Sequence, residues 1–213
     1  MRHMRGRTIM AKNRTWIYAL LFILPLVFAS GCSEYSKVDQ GRAIALDKEK
    51  RTVTIIRDEK ADPQNPDYSH LPPMTYSLPT DPAEMGPEPK VGLRMNLDAK
   101  SRQITIFDPA SQNFKTITYT LIEEKDNVGR NDPLVFNEAE NKAKKFPSVD
   151  REKKTISIYS GRQKIFITFS LPDEYFALPD HTWDAGDEVR MTFKEPGKAL
   201  RFMNISRTDI YKK

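Results

Sequence analysis

From residue 42 onward the chain is built of short runs in which apolar and polar residues alternate, with β-branched and aromatic side chains at the apolar positions. A period of two puts every second side chain on one face of an extended segment, so each run reads as a strand with one buried face. Such runs fall at 42–46, 52–57, 74–77, 91–97, 103–108 and 114–122, and again at 155–159, 164–170, 188–193 and 200–206. The expected fold is all-β. One short helix is expected, at 134–145, opening after Asp132-Pro133 and stopping before Pro147, where helix entry and exit residues belong.

The two sets of strands resemble copies of one another. Residues 46–55 (LDKEKRTVTI) match 149–158 (VDREKKTISI), Tyr76-Ser77-Leu78-Pro79 matches Phe169-Ser170-Leu171-Pro172, and Arg94-Met95 matches Arg190-Met191, in the same order along the chain. An internal repeat of this kind points to duplication of one supersecondary unit. The spacing shrinks because the first copy carries an insertion over 58–72 where the second turns tightly at Ser160-Gly161-Arg162. Each copy reads as three strands in a meander, a long connection and a closing hairpin. That order resembles the OB fold, a five-stranded barrel, and closure removes the exposed strand edges that would otherwise pair with other chains. The resemblance implies two tandem small OB-like barrels, at 41–125 and 147–213, joined by a linker over 126–146 that holds the short helix. A single β-sandwich is the alternative. Eight of the 15 prolines lie within 62–89. Proline fixes φ and lacks a donor, so this stretch is expected to be ordered loop draped over the first barrel.

The first 31 residues are of another kind. Arg2, Arg5, Arg7, Lys12 and Arg14 precede an apolar run over 16–28, and Ala29-Ser30-Gly31-Cys32 follows. Thirteen residues interrupted by Pro25 are too few to span a bilayer as a helix, which needs about 20; the layout is that of an export signal. Small residues before a cysteine resemble the lipobox of bacterial lipoproteins, with Ala29 where leucine is commonest. The resemblance implies cleavage between Gly31 and Cys32, fatty acylation of the Cys32 thiol, and a lipidated tether over 32–40. Ser33, rather than aspartate, after the cysteine implies sorting to an outer membrane, facing the periplasm. Two or three acyl chains make such an anchor effectively permanent. Cys32 is the sole cysteine, so the folded part has no disulfide and holds together by its core.

The net charge of +5 suggests nucleic acid, but its distribution removes that reading. Five of the 34 Lys and Arg residues precede Cys32 and none of the 29 Asp and Glu residues do, so the remainder balances at 29 of each. A neutral, mixed surface releases few counterions on nucleic acid and has little pull toward anionic lipid. No nucleic-acid partner is expected.

Motifs for catalysis are absent. There is no G-x-S-x-G elbow and no phosphate-cradling glycine loop, and beyond the leader only His70 and His181 remain, too few for a recognisable zinc spacing. No metal and no cofactor are expected. The acidic stretch 180–188 (DHTWDAGDE) lacks the alternating carboxylates of an EF-hand, and Gly186-Asp187 reads as the turn into a strand. The charged runs at 47–51 and 150–154 read as solvated hairpin tips.

One constellation supports a functional expectation: the loop over 172–183, with Tyr175, Phe176, His181 and Trp183. Aromatic faces in a barrel-rim loop can stack on sugars or hold a peptide. The same residues can instead plug the barrel's open end, Phe176 and Trp183 being the natural plugs. Tyr68, His70 and Tyr76 form a weaker counterpart in the first copy. The expectation is thus a membrane-anchored, non-enzymatic binding or scaffolding module for protein, peptide or glycan. A hydrolase with a dispersed site or a structural spacer are the alternatives.

Overall fold

The computed structural model describes residues 35–60 and 66–208. Fourteen strands are present among them: β1 (Lys37–Asp47), β2 (Thr52–Arg57), β3 (Met74–Ser77), β4 (Arg94–Asp98), β5 (Gln103–Asp108), β6 (Asn113–Thr118), β7 (Thr120–Lys125), β8 (Phe136–Asn137), β9 (Lys142–Ala143), β10 (Ser148–Asp150), β11 (Thr155–Ser160), β12 (Ile165–Ser170), β13 (Glu188–Phe193) and β14 (Ala199–Asn204). The helical content of the described residues is three 3-10 turns, Pro82–Glu84, Asp173–Ala177 and Asp180–Trp183. The described residues are all-β, as their alternation requires.

Five hairpins share one loop. Between β1 and β2, β4 and β5, β5 and β6, β10 and β11, and β11 and β12, four residues turn the chain, and the fourth takes a positive φ of 52–54° (Arg51, Arg102, Gln112, Lys154, Lys164). The last strand residue before each loop carries an oxygen that accepts from a loop N–H: Asp47 from Lys50, Asp98 from Lys100 and Ser101, Asp108 from Ala110, Asp150 from Lys153 and Ser160 from Gln163. Side-chain acceptance by Asp or Ser makes a turn without glycine. Arg51 and Lys154 occupy equivalent places in the two matched segments, so the repeat extends to backbone conformation.

The first barrel is a five-stranded sheet in the order β14-β13-β1-β2-β3, antiparallel throughout. Parallel bridges Ser77↔Lys198 and Met85↔Phe202 bring its two ends together. Its core is Ala43, Val53, Ile55, Tyr76, Val189, Met191, Phe193, Ala199 and Phe202. The second unit has two sheets, β4-β5-β6 and β10-β11-β12-β7. Only Tyr119 separates β6 from β7, so one long strand passes from the first of these sheets to the second. The faces they share bury Ile104, Ile106, Ile117, Ile156, Ile158, Ile167 and Phe169 among others. Adjacent residues on two strands serve different cores. Ile55 and Ile106 face the barrel and the second unit respectively, while their neighbours Ile56 and Phe107 meet Ile44, Leu93, Met95 and Tyr68 in a cluster between the two. Ala43 and Ile44 divide in the same way, and the bulge between Ala43 and Ala45 brings Leu46, three residues on from Ala43, back to the barrel side opposite Val53.

Three sequence expectations do not hold. The copies are interlocked and not in tandem: the meander β1-β2-β3 of the first copy is completed by the hairpin β13-β14 of the second, and β10-β11-β12 of the second packs on β4-β5 of the first. The boundaries 41–125 and 147–213 therefore do not divide the molecule. After β3, Pro79, Pro82, Pro87 and Pro89 cannot supply ladder donors; the segment runs alongside β14, where Gly86 N–H bonds the Phe202 carbonyl at 2.9 Å, and the vacant edge of β1 takes β13. The tether is shorter than 32–40, because residues 37–40 pair with 190–193 and buried Gln40 accepts from Arg190 Nε and Nη2 at 3.0 and 2.7 Å. The helix at 134–145 is absent. Its apolar residues Leu134, Val135 and Phe136 are contiguous and do not recur at helical spacing. Asp132 and Asn137 accept from N–H groups two or three residues ahead, and such local bonds compete with a helix; the small hairpin β8-β9 forms instead.

Candidate functional site

The loop that follows β12 is made by two similar steps, Leu171-Pro172-Asp173 and Leu178-Pro179-Asp180. Each proline precedes a 3-10 turn, and its carbonyl accepts from the residue three ahead, Tyr175 and Thr182. A pre-set proline φ and a missing donor suit the entry to a helical turn. Two residues of the β10–β11 hairpin hold the loop in place. Arg151 Nε donates to the Phe176 carbonyl at 3.2 Å, while Nη2 donates to the Leu178 carbonyl at 3.3 Å and to Asp180 at 2.7 Å; Lys154 pairs with Asp173. The charged hairpin tip read from sequence as merely solvated is thus a clamp, and no local signal announces it, because its partners lie some 25 residues downstream. On its far side the loop is tied to the first copy: Leu93 N–H donates to the His181 carbonyl at 3.1 Å and Arg94 N–H to the Asp184 carbonyl at 2.9 Å.

The four aromatic-loop residues divide. Trp183 has no exposed surface and Phe176 is 7% exposed, both within the core of the second unit. They are the plug, not a ligand platform, and a Trp183→Ala substitution would cost about 3–5 kcal/mol of stability and so could not report on binding. Trp183 Nε1 is buried without a hydrogen-bond partner among the described residues. Tyr175 and His181 lie at the surface of that plug. Tyr175 is half-buried, edge-on to Trp183 at 6.5 Å between ring centres, and His181 is exposed.

These two residues border a cavity of about 300 Å³ between the loop and the β4-β5-β6 sheet. Its floor is apolar, with Leu93, Ile106, Phe107 and Leu178; its rim carries Asp108, Lys115, Glu174 and His181. Lys115 Nζ sits 4.8 Å from the centre of the Tyr175 ring, a cation over an aromatic face, and Tyr175 holds it above the ordinary lysine range. Asp108 is kept below the usual carboxylate range by Ser111, whose hydroxyl donates to it at 2.8 Å, and by the Ala110 N–H. An apolar floor with a few convergent polar groups is the general form of a ligand pocket. The wall supplied by Leu93, Ile106 and Lys115 was not foreseen from sequence, since it belongs to the other copy.

The counterpart residues in the first copy are engaged differently. Tyr76 is fully buried in the barrel, its hydroxyl donating to Asp39, and burial together with that carboxylate raises its pKa strongly. Tyr68 lies beneath the guanidinium of Arg42, and His70 pairs with Glu59. In the acidic stretch 180–188 each carboxylate has its own partner: Asp180 takes Arg151, Asp184 takes Lys90, Asp187 takes Arg207 and Asn204, and Glu188 takes Gln40. Gly186 adopts φ +70°, and a Cβ there would meet the Ala43 carbonyl at 2.6 Å, so the turn reading holds. Among the described residues no group of three or more His, Cys, Asp or Glu side chains is placed to hold a metal ion, and no helix is long and apolar enough to cross a membrane. Gly31 and Cys32 lie outside the described residues.

Neither the curated proteins nor the solved structures contain a match to the chain. A family profile does match it, over residues 34–213, and on that extent the chain belongs to DUF4881, a family described as a domain of unknown function.

Proposed function

We propose that this is a lipid-anchored cell-envelope protein, held through acylated Cys32 at the periplasmic face of an outer membrane, and that it is a non-enzymatic binding or scaffolding module. Its ligand is a peptide, protein segment or glycan engaged by the cavity beneath the loop 172–183. The observation that carries the reading is the half-buried Tyr175 beside an apolar floor, with His181 and Lys115 at the mouth. A tyrosine ring offers contact area at low entropic cost and a polar tip for orientation. Support for the anchor comes from the leader, with its basic start, its apolar run over 16–28 and Ala29-Ser30-Gly31-Cys32 at its end.

The test has two arms. Membrane fractionation of cells producing the chain should place it in the envelope fraction, and Cys32→Ser should release it or leave its leader uncut; a Cys32→Ser protein that remains membrane-bound with a cleaved leader contradicts the anchor. Titration with short peptides and glycan fragments, followed by NMR shifts, should move the signals of Tyr175 and His181, and Tyr175→Ala should weaken binding about tenfold, the loss of roughly 1.4 kcal/mol. Ligands that bind while leaving both signals still contradict the cavity.

A second reading, an envelope hydrolase, draws on the same rim, where Asp108, Glu174 and His181 border one cavity. Asp108, bonded in its turn and held below the usual range, suits an ionised partner and not a proton donor. Turnover of a bound fragment that is abolished by His181→Ala, with binding retained, would favour this reading.

A further inference from the structure

A second cavity, of about 740 Å³, is lined by residues of β1, β4 and the β11–β12 turn together with Ala185 and Gly186. Four cationic side chains reach it, Arg42, Lys60, Arg94 and Arg162, against a single carboxylate, Glu188, among the described lining residues. The two inner guanidiniums are fixed by neutral groups. Arg42 Nη1 donates to the carbonyls of Arg94 and Met95, both at 2.9 Å, and its guanidinium lies 4.1 Å from the centre of the Tyr68 ring. Arg94 Nε donates to the Trp183 carbonyl at 3.0 Å.

Neither arginine takes part in an ion pair among the described residues. The neighbouring carboxylates are bonded elsewhere: Asp58, whose charge acts on Tyr68, accepts from the Lys60 and Asp67 N–H groups. Glu188 is opposite Arg42 in the β1–β13 register, but it accepts from the Gln40 amide instead. Asp184, whose charge acts on Arg94, is paired with Lys90. Burial, with Arg42 alongside, brings Arg94 down to about 10. Holding two like charges together in a partly desolvated place opposes folding unless an anion compensates them, and the forked donors of arginine match a carboxylate or phosphate.

We propose that this cleft binds a saccharide bearing a phosphate or carboxylate group, the anionic group lying between Arg42 and Arg94. The rest of the wall suits hydroxyls: Asn96, Ser160, Gln163 and Ser206 are neutral donors and acceptors, and the volume is within the range of small-molecule sites. The proposal is independent of the cavity beside Tyr175.

Calorimetric titration of the full chain in detergent, with glucose 6-phosphate, glucuronic acid, inorganic phosphate and glucose as probes, tests it. Binding of glucose 6-phosphate or glucuronic acid at least tenfold tighter than glucose is expected, with a further tenfold or greater loss in Arg42→Gln and Arg94→Gln. Arg162→Glu, at an exposed position, keeps the test alive should the inner variants fail to fold; it should weaken the anionic probes several-fold and leave glucose unchanged. Leu200→Ser, outside both cavities, serves as the control. No heat from either anionic sugar, equal affinity for glucose, or affinities untouched by Arg162→Glu and Arg42→Gln would overturn the site. Inorganic phosphate bound as tightly as glucose 6-phosphate would overturn the saccharide assignment.

Discussion

Asp47, Asp98, Asp108 and Asp150 each close a hairpin by accepting from the loop that follows, and each is held below the ordinary aspartate range. The largest cause is a backbone N–H, from Lys50 for Asp47 and Lys153 for Asp150, and a serine hydroxyl, Ser101 and Ser111, for the other two. A carboxylate whose folded pKa is depressed favours the folded state above its unfolded pKa of about 3.9, and that contribution disappears as pH falls through the folded value. The urea midpoint should therefore drop as pH is lowered from about 5 to 3. Asn at Asp47 and Asp150 keeps the accepting oxygen and removes the titration, so the double variant should show a shallower fall over the same window. An identical fall in both proteins would mean that these turns do not contribute to the acid response.

At the scale of elements, the loop 172–183 depends on the clamp from the β10–β11 hairpin. Arg151→Ala removes donors to two loop carbonyls and the pair with Asp180. Its side chain is half exposed, so the cost in global stability should be small, about 1 kcal/mol. Amide exchange over 175–183 should accelerate well beyond that of the strands, since local opening needs only the loop's own contacts; uniform acceleration would place Arg151 in the global core instead. The strands were readable because each buries one face: runs 52–57, 74–77, 103–108 and 188–193 agree with β2, β3, β5 and β13 to the residue. The three-residue β10 and the pairs β8 and β9 were not, since two or three residues show no period. In the loop, four aromatic-loop residues were identified by type, but sequence could not divide them. Which ones are buried is decided by β5, β6 and β11, supplied from elsewhere in the chain.

For the whole molecule, alternation and the repeat disclosed what the pieces are but not which pieces meet. β4 and β13 lie in matching segments with Arg-Met at the same place, so either hairpin offers a similar apolar face to either meander, and local pattern does not discriminate between them. Interlocking shapes both cavities. Both cavities are walled by residues of the two copies together: Lys115 faces Tyr175 in one, and Arg42 and Arg94 share the other with Arg162. Neither site would exist in a chain whose copies folded separately.

The interlocking of the two copies, β1 with β13 and β4-β5 with β11-β12, is accordingly the claim on which the cavities rest, and separate expression of residues 34–125 and 126–213 tests it. Neither fragment alone has a complete core, as β1 lacks its partner and the faces of β4 and β5 lack β11 and β12. Each should give a collapsed amide NMR spectrum without a cooperative melt, and mixing the two should restore dispersion and a single transition. A dispersed spectrum and a sharp melt from 34–125 alone would contradict the interlocked arrangement.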